Sequence, residues 1–353
     1  MKGLILSGGH GVRLRPLTHS QQKQLIPIAN KPILFYVIED LIDSGINDIA
    51  IIVGPNKEQI IETVSSVKWD AKISYIYQDA PRGLAHAVKI AKDFTGNENF
   101  VMYLGDNLLK EGSKEFVEDF VKSNVDASIL LTEVEDPTQY GVALVDEQNK
   151  VIVKLLEKPK NPPTNLSIVG IYGLTPKIYD AIENITPSWR GELEITDALH
   201  WLIEQDYTVR YKRVTGWWKD TGMPEDIIDA NRLVLDTIKT NIKGEIIDST
   251  KAGEVIIGDN SIVKGNSKLF GPMIIGKNCT INNSIIGPYT SIGDNSTIEN
   301  TNVEDSIVME NAKIIDINRI SKSLIGKSVS INKNNKQSDE ISLMIGDNSQ
   351  VIL

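Results

Sequence analysis

Residues 6–17 read Leu-Ser-Gly-Gly-His-Gly-Val-Arg-Leu-Arg-Pro-Leu and follow directly on the apolar run 3–6. Glycine at 8, 9 and 11 lets the backbone approach an anion closely and take up φ > 0. The N–H groups of such a loop can turn inward as an anion-binding nest. Arg13 and Arg15 add permanently charged forks that match phosphate oxygens. Lys23, within Gln21-Gln22-Lys23-Gln24-Leu25, supplies a further cation on the same segment. The chemistry indicated is nucleotide binding and phosphoryl transfer. A dinucleotide-binding fingerprint is excluded because Leu14 stands where its third glycine belongs, and a P-loop is excluded because Lys23 lacks the preceding glycine and following Ser or Thr. The bland alternative is a tight turn with exposed arginines; the arginine spacing and the lysine behind it favour phosphate.

These residues must be positioned by a large fold. A chain of 353 residues exceeds one ordinary core and is expected to form two domains. Hydrophobic residues make up 41% and charged residues 24%, the balance of a globular protein. The formal charge of −10, from 47 acidic and 37 basic residues, argues against general nucleic-acid binding, so anion sites must be local. Cys279 is the one cysteine, which rules out an internal disulfide and suggests a reducing compartment. With no signal-peptide pattern and no membrane-length apolar run, a cytoplasmic protein without membrane association is expected.

Two rhythms divide the sequence. Up to about residue 240, candidate strands (Gly3–Leu6, Ile49–Val53, Ile73–Tyr77, Phe100–Leu104, Ser128–Leu131, Ile168–Leu174, Thr208–Val214) alternate with helical patterns (Pro32–Ser44, Glu58–Ser66, Leu84–Asp93, Lys114–Lys122, Thr196–Glu204, Pro224–Lys239). Alternation of this kind predicts an α/β domain with a Rossmann-like mixed, mostly parallel sheet covered by helices on both faces. Ligands then bind beyond the carboxyl ends of the strands, where the glycine loop lies. From residue 241 to 353, apolar residues recur every six positions at Ile257, Val263, Leu269, Ile275 and Ile281. The beat resumes at Ile286, Ile292 and Ile298 and continues less regularly to Ile331, with Gly, Asn, Asp and Ser between. A hexapeptide period predicts a parallel β-helix. The predicted domains are therefore 1–240 and 241–353.

With both halves in view, the chain resembles the sugar nucleotidyltransferases, most closely the long-form glucose-1-phosphate thymidylyltransferases, over nearly its whole length. The resemblance rests on residues 7–18 (SGGHGVRLRPLT), 23–33 (KQLIPIANKPI), 82–87 (RGLAHA), 104–107 (LGDN), 139–142 (QYGV), 156–159 (LEKP), 169–172 (VGIY), 190–197 (RGELEITD) and 217–222 (WWKDTG). Residues 323–327 (SLIGK) and 343–349 (LMIGDNS) fit the long form. It implies a left-handed β-helix and attack of a sugar-1-phosphate on the α-phosphate of a nucleoside triphosphate, with release of pyrophosphate. No protein nucleophile is needed; alignment and neutralisation of repelling anions carry the catalysis.

The resemblance implies that Gly8, Gly9, Gly11 and the Val12 backbone cradle the triphosphate, with Arg13 on its oxygens and Lys23 at the α-phosphate. Asp106 and Asp220 would hold Mg²⁺. Gly141, Glu157 and Tyr172 would face the hexose, Lys158 and Arg190 the sugar phosphate, and Asn107 the sugar or ribose. Gln24 and Gln78, with the backbone near Gly83, would pair with thymine. A glutamine amide fits uracil as well, where only a methyl worth about 1–3 kcal/mol is missing, so the expected substrates are dTTP and glucose-1-phosphate, with UTP or another hexose-1-phosphate as the alternative. Glu192 and Glu194 read as acids favouring a helix N-terminus, Trp217 and Trp218 as core and wall, and His10 as an exposed loop residue.

Two other classes compete. A hexapeptide acyltransferase needs a histidine base, yet His10, His19, His86 and His200 all precede residue 241. A non-catalytic nucleotide-sugar-binding regulator has no need of Arg13, Lys23, Asp106, Lys158 and Asp220 together. The β-helix then reads as an assembly element, and a homo-oligomer is expected.

Overall fold

The computed structural model describes residues 1–9, 11–333 and 343–352; the expectation for His10 lies outside the described residues. Compactness divides the chain into two units, residues 1–9 with 34–220, and residues 10–33 with 221–353.

The first unit is built on β1 (Lys2–Ser7), β2 (Asp48–Val53), β3 (Lys72–Tyr77), β4 (Phe100–Leu104), β5 (Asn107–Leu109), β6 (Ala127–Glu133), β7 (Gly141–Asp146), β8 (Val151–Glu157), β9 (Leu166–Leu174), β10 (Val209–Arg213) and β11 (Trp218–Asp220). Its helices are α1 (Ile33–Asp43, from residue 34), α2 (Lys57–Ser65), α3 (Leu84–Ile90), α4 (Lys114–Lys122), α5 (Lys177–Asn184) and α6 (Ile195–Glu204). Nine strands form one sheet in the order β3-β2-β1-β4-β9-β6-β10-β8-β7, while β5 and β11 pair separately. Strands β1 and β2 are near-continuous apolar runs because helices bury both of their faces. Leu4, Leu6, Ala50, Ile52, Phe100 and Met102 pack on one side with Ala85 and Val88 of α3 and Ile178 of α5. On the other, an added side chain at Gly3 would meet Leu41 of α1 and Ile46 at 3.1 Å. The strand order reverses at β1: the chain runs outward through β2 and β3, then returns to β4 on the opposite side. At that switch point Gly8 and Gly9 leave β1 and Asp106 leaves β4.

All seven expected strands are present. Leu84–Asp93 is interrupted at Ala91, so that a single turn, Lys92–Thr95, follows α3. The sheet is mixed. β3–β2, β2–β1, β1–β4 and β10–β6 are parallel, whereas β4–β9, β9–β6, β10–β8 and β8–β7 are antiparallel. The antiparallel pairs arise because β9 runs against both β4 and β6 and because β7 and β8 form a hairpin inserted without a helix. Asp146 turns that hairpin, its Oδ1 accepting from the N–H groups of Gln148 and Asn149.

The second unit holds α7 (Pro224–Leu235) and a left-handed parallel β-helix. Its three sheets each take every third strand. The predicted periodic positions stack in register: Ile257–Ile275–Ile292–Val308–Ile325 on one wall, Val263–Ile281–Ile298–Ile314–Ile331 on the next and Leu269–Ile286–Val303–Ile320 on the third. All are buried. Corners are turned by left-handed Asn and Asp residues, among them Asn260, Asn278, Asn295 and Asn300. Amide ladders join them, with Asn260 Nδ2 donating to Asn278 Oδ1 at 3.2 Å and Asn278 Nδ2 to Asn295 Oδ1 at 3.1 Å. Cys279 is a buried filler of the prism, as its position suggests. Among the described residues no helix is long and apolar enough to cross a membrane.

Candidate active site

In the first unit the predicted residues gather into three groups. Gln78 follows β3, its N–H donating to the Val53 carbonyl at 2.9 Å. Its Nε2 lies 3.0 Å from His86 Nδ1 and 3.4 Å from the Gly83 carbonyl. A side chain at Gly8 would come within 3.2 Å of Gln78 Oε1. Gly83 has φ +99°, and any Cβ there would lie 2.3 Å from the Leu193 carbonyl, so only glycine fits. Burial, with Arg82, pushes the His86 imidazole below its ordinary pKa. It is therefore a neutral acceptor for Gln78 Nε2 at neutral pH, a role the sequence reading missed.

The carboxylates form the second group. β5 and β11 run antiparallel with Asp220 opposite Asn107, the residue after Asp106. Two acids 114 positions apart are thus brought onto neighbouring stretches of one small ribbon. Asn107 Nδ2 donates to Asp106 Oδ1 at 2.9 Å, and Trp218 Nε1 donates to Asn107 Oδ1 at 2.7 Å. Trp218 also sets its ring edge-on to Tyr140, centroids 5.5 Å apart. It is a wall, as expected, that also fixes Asn107. Among the described residues no group of three or more His, Cys, Asp or Glu is arranged to hold a metal ion. Two carboxylates completed by substrate phosphates suit Mg²⁺, which keeps few protein ligands.

The third group is centred on Glu157, at the end of β8 and opposite Gly141 of β7. Its Oε2 accepts from Thr196 Oγ1 at 2.9 Å and its Oε1 from Arg190 Nη1 at 3.2 Å. Arg190 also meets Glu192 at 3.0 Å and Glu194 at 3.4 Å. Burial raises the Glu157 carboxyl above the ordinary range. Burial, then the Glu157 charge, raises the Tyr172 phenol. Gly141 permits a close approach: a Cβ there would lie 2.8 Å from Thr196 Cγ2, 2.9 Å from Ile168 Cδ1 and 3.4 Å from Glu157 Oε2. Lys158 follows with φ 40° and its N–H on the Tyr140 carbonyl at 3.2 Å. Glu194 stands at the N-cap position of α6 but makes no side-chain cap hydrogen bond. It is buried against Ser188 Oγ, at 2.8 Å, and Arg190, so from the helix terminus its carboxylate also seats the guanidinium. The sequence reading also missed Thr196; its place beside an acid-rich RGELEIT stretch was the available signal.

In the second unit, Gly11 alone of the three loop glycines has positive φ, 58°. A Cβ there would meet Lys23 Cβ at 2.9 Å and Thr18 Cγ2 at 3.0 Å, while Thr18 Oγ1 holds the Gly11 carbonyl at 2.7 Å. Glycine at 11 therefore lets the lysine stem pass. Gly9, in the first unit, has open space around its Cβ position and no positive φ. Val12 and Arg13, on a short 3₁₀ turn, are exposed; Lys23 and Gln24, on another, are buried. Gln24 Oε1 accepts no hydrogen bond within the protein, which suits an acceptor for a ligand N–H.

Residues 2–237 match the family model described as nucleotidyl transferase. The low-salt glycan biosynthesis nucleotidyltransferase Agl11 of Haloferax volcanii is 45% identical, covering 100% of both chains. A glucose-1-phosphate thymidylyltransferase of Streptomyces griseus is 42% identical over 99% of each. A solved UDP-glucose pyrophosphorylase complexed with UDP-glucose superposes with a TM-score of 0.61 at 26% identity, covering 67% of this chain and 99% of that one.

Proposed function

This chain belongs to the nucleotidyl transferase family, and on that premise we propose that it condenses glucose-1-phosphate with dTTP to give dTDP-glucose and pyrophosphate. The observation that carries the sugar side is the Glu157 seat. Two carboxylate oxygens stand beside a guanidinium and a hydroxyl, with Gly141 letting Thr196 and Glu157 approach the strand closely. Such a seat suits a ligand with neighbouring hydroxyls and a phosphate. Glu157 accepts from two hexose hydroxyls, Tyr172 and Asn107 border the sugar, and Arg190 and Lys158 hold its phosphate. A sugar-phosphate oxygen then attacks the α-phosphorus in line. As that P–O bond forms, the bond to the β-phosphate oxygen breaks and pyrophosphate leaves.

Lys23 and Arg13 offset the charge of the pentacoordinate phosphorus and of the departing oxygens, and the backbone at Gly8, Gly9, Gly11 and Val12 cradles the triphosphate. Asp106 and Asp220 hold Mg²⁺, which when bound neutralises phosphate charge. For the base, Gln24 Oε1 accepts from thymine N3–H while Gln78, oriented by His86 and Gly83, meets the remaining edge. The same edge is presented by UTP, and the likeness to a UDP-glucose pyrophosphorylase makes it the second reading. The enzyme works in the cytoplasm as a homo-oligomer, with residues 1–240 and 241–353 as its catalytic and β-helix domains. Equal concentrations of dTTP and UTP with glucose-1-phosphate test the choice: dTDP-glucose in excess supports the proposal, and UDP-glucose in excess replaces it with the second reading.

A further inference from the structure

We infer that the β-helix is the mount that holds the lysine-bearing segment in place, with Asn231 as its central positioning residue. The inference rests on reading Lys23 as the cation at the α-phosphate. Lys23 and Gln24 lie between two anchor points. Upstream, Gln21 Nε2 donates to Met309 Sδ in the prism at 3.3 Å. Downstream, a two-residue turn at Ala29 and Asn30 closes the short hairpin Pro27–Ile28 and Lys31–Pro32, both turn residues having positive φ, 47° and 60°. Alanine in that region is unusual, and its N–H is bound by Asn231 Oδ1 at 2.9 Å. The same oxygen accepts from Ser291 Oγ at 2.7 Å, and Asn231 Nδ2 donates to the Tyr289 carbonyl at 3.0 Å. Asn30 Nδ2 independently reaches the Ile292 carbonyl at 2.6 Å.

Asn231, 1% exposed, therefore joins three chain segments: the hairpin, α7 and a rung of the β-helix. Next to it Arg232 Nε binds Asp305 Oδ1 at 2.6 Å, pinning α7 to the same prism. No side chain of the β-helix is given chemistry by the proposed reaction; this docking gives it a geometric part. Displacing an aligned cation by about 1 Å is enough to lower turnover by about a hundredfold.

The test uses the full chain with Asn231→Leu, which removes the buried link, and Asn30→Ala, which removes the more exposed one and spares the interior. Circular dichroism verifies folding. Hydrogen exchange over residues 21–30 and the kinetic constants are then compared with wild type. The expected result is exchange faster by about tenfold in that segment and kcat lower by about tenfold or more, with the KM for hexose phosphate within about twofold. Unchanged exchange in the folded variants overturns the mount. Faster exchange with unchanged kcat, or kcat and KM worsening together, overturns its positioning role. Should wild type turn over no nucleotide–sugar pair, the reading of Lys23 fails, while the exchange data still decide whether the prism holds the segment.

Discussion

Arg190 and Glu157 meet across 33 positions of sequence, Nη1 donating to Oε1 at 3.2 Å, while Glu192 and Glu194 close on the same guanidinium. One cation thus neutralises part of a cluster of three acids. Replacing Glu157 by Gln keeps the shape and removes the charge. Hydrogen bonds to charged groups contribute about 1.5–3 kcal/mol, so the KM for hexose phosphate is expected to rise about tenfold to a hundredfold. The KM for dTTP stays put. Steady-state kinetics with each substrate varied in turn check this, and equal effects on both constants argue against a hexose role.

The raised pKa of Glu157 sets a pH dependence. Burial disfavours its charged form, and that form is the one that accepts hydroxyls. As pH falls through the raised value, the KM for hexose phosphate increases, and Glu157→Gln flattens the profile. Stability runs the other way. A raised carboxyl contributes stability that is full below the ordinary glutamate pKa and lost as pH rises through the folded value. At neutral pH the Gln variant should melt no lower than wild type; a clear drop in Tm there contradicts the assignment.

His86 offers Nδ1 to Gln78 only while neutral, and its lowered pKa, from burial and then Arg82 and Lys89 against Asp79, keeps it so. His86→Leu removes the acceptor and frees the Gln78 amide to rotate. Losing one net hydrogen bond, about 1 kcal/mol, should raise the KM for the nucleotide about fivefold and leave that for the hexose phosphate unchanged. For stability, the depressed pKa gives a contribution present above the ordinary histidine value and lost as pH falls through the folded one. Kinetics in which only the hexose constant moves would remove His86 from the base site.

In the β-helix, Ile298 is fully buried between Ile281 and Ile314, while Lys313 points out from the same sheet. Ile298→Ala leaves a void that the stacked rungs cannot close and should destabilise by about 2–5 kcal/mol. Lys313→Ala should change stability by less than about 0.5 kcal/mol. Denaturant unfolding separates the two, and similar midpoints would mean the prism is not the packed core described.

Local pattern made part of this legible in the sequence. The glycine-arginine loop and the six-residue beat each sit within a few neighbouring residues, and the stacks from Ile257 to Ile331 follow them. Five-residue steps, as from Ile281 to Ile286, fall at corners where a rung is one residue shorter. The hairpin of β7 and β8 escaped because Lys154 and Glu157 interrupt its apolar run; the polar stretch 146–150 between VALV and VIV was the turn signal. Three-dimensional partners were beyond reach. Nothing in spacing joins Asp106 to Asp220, Thr196 to Glu157, or Asn231 to Ala29, since each pair is made by topology.

Pyrophosphate release is the direct test of nucleotidyl transfer at the Asp106 and Asp220 ribbon. Wild type and Asp106→Asn are assayed with Mg²⁺, glucose-1-phosphate and dTTP, beside UTP, ATP, CTP and GTP. Turnover is expected to be fastest with dTTP, slower with UTP and about a hundredfold or more lower in the variant. Wild-type silence with every pair, or full activity in folded Asp106→Asn, would contradict it.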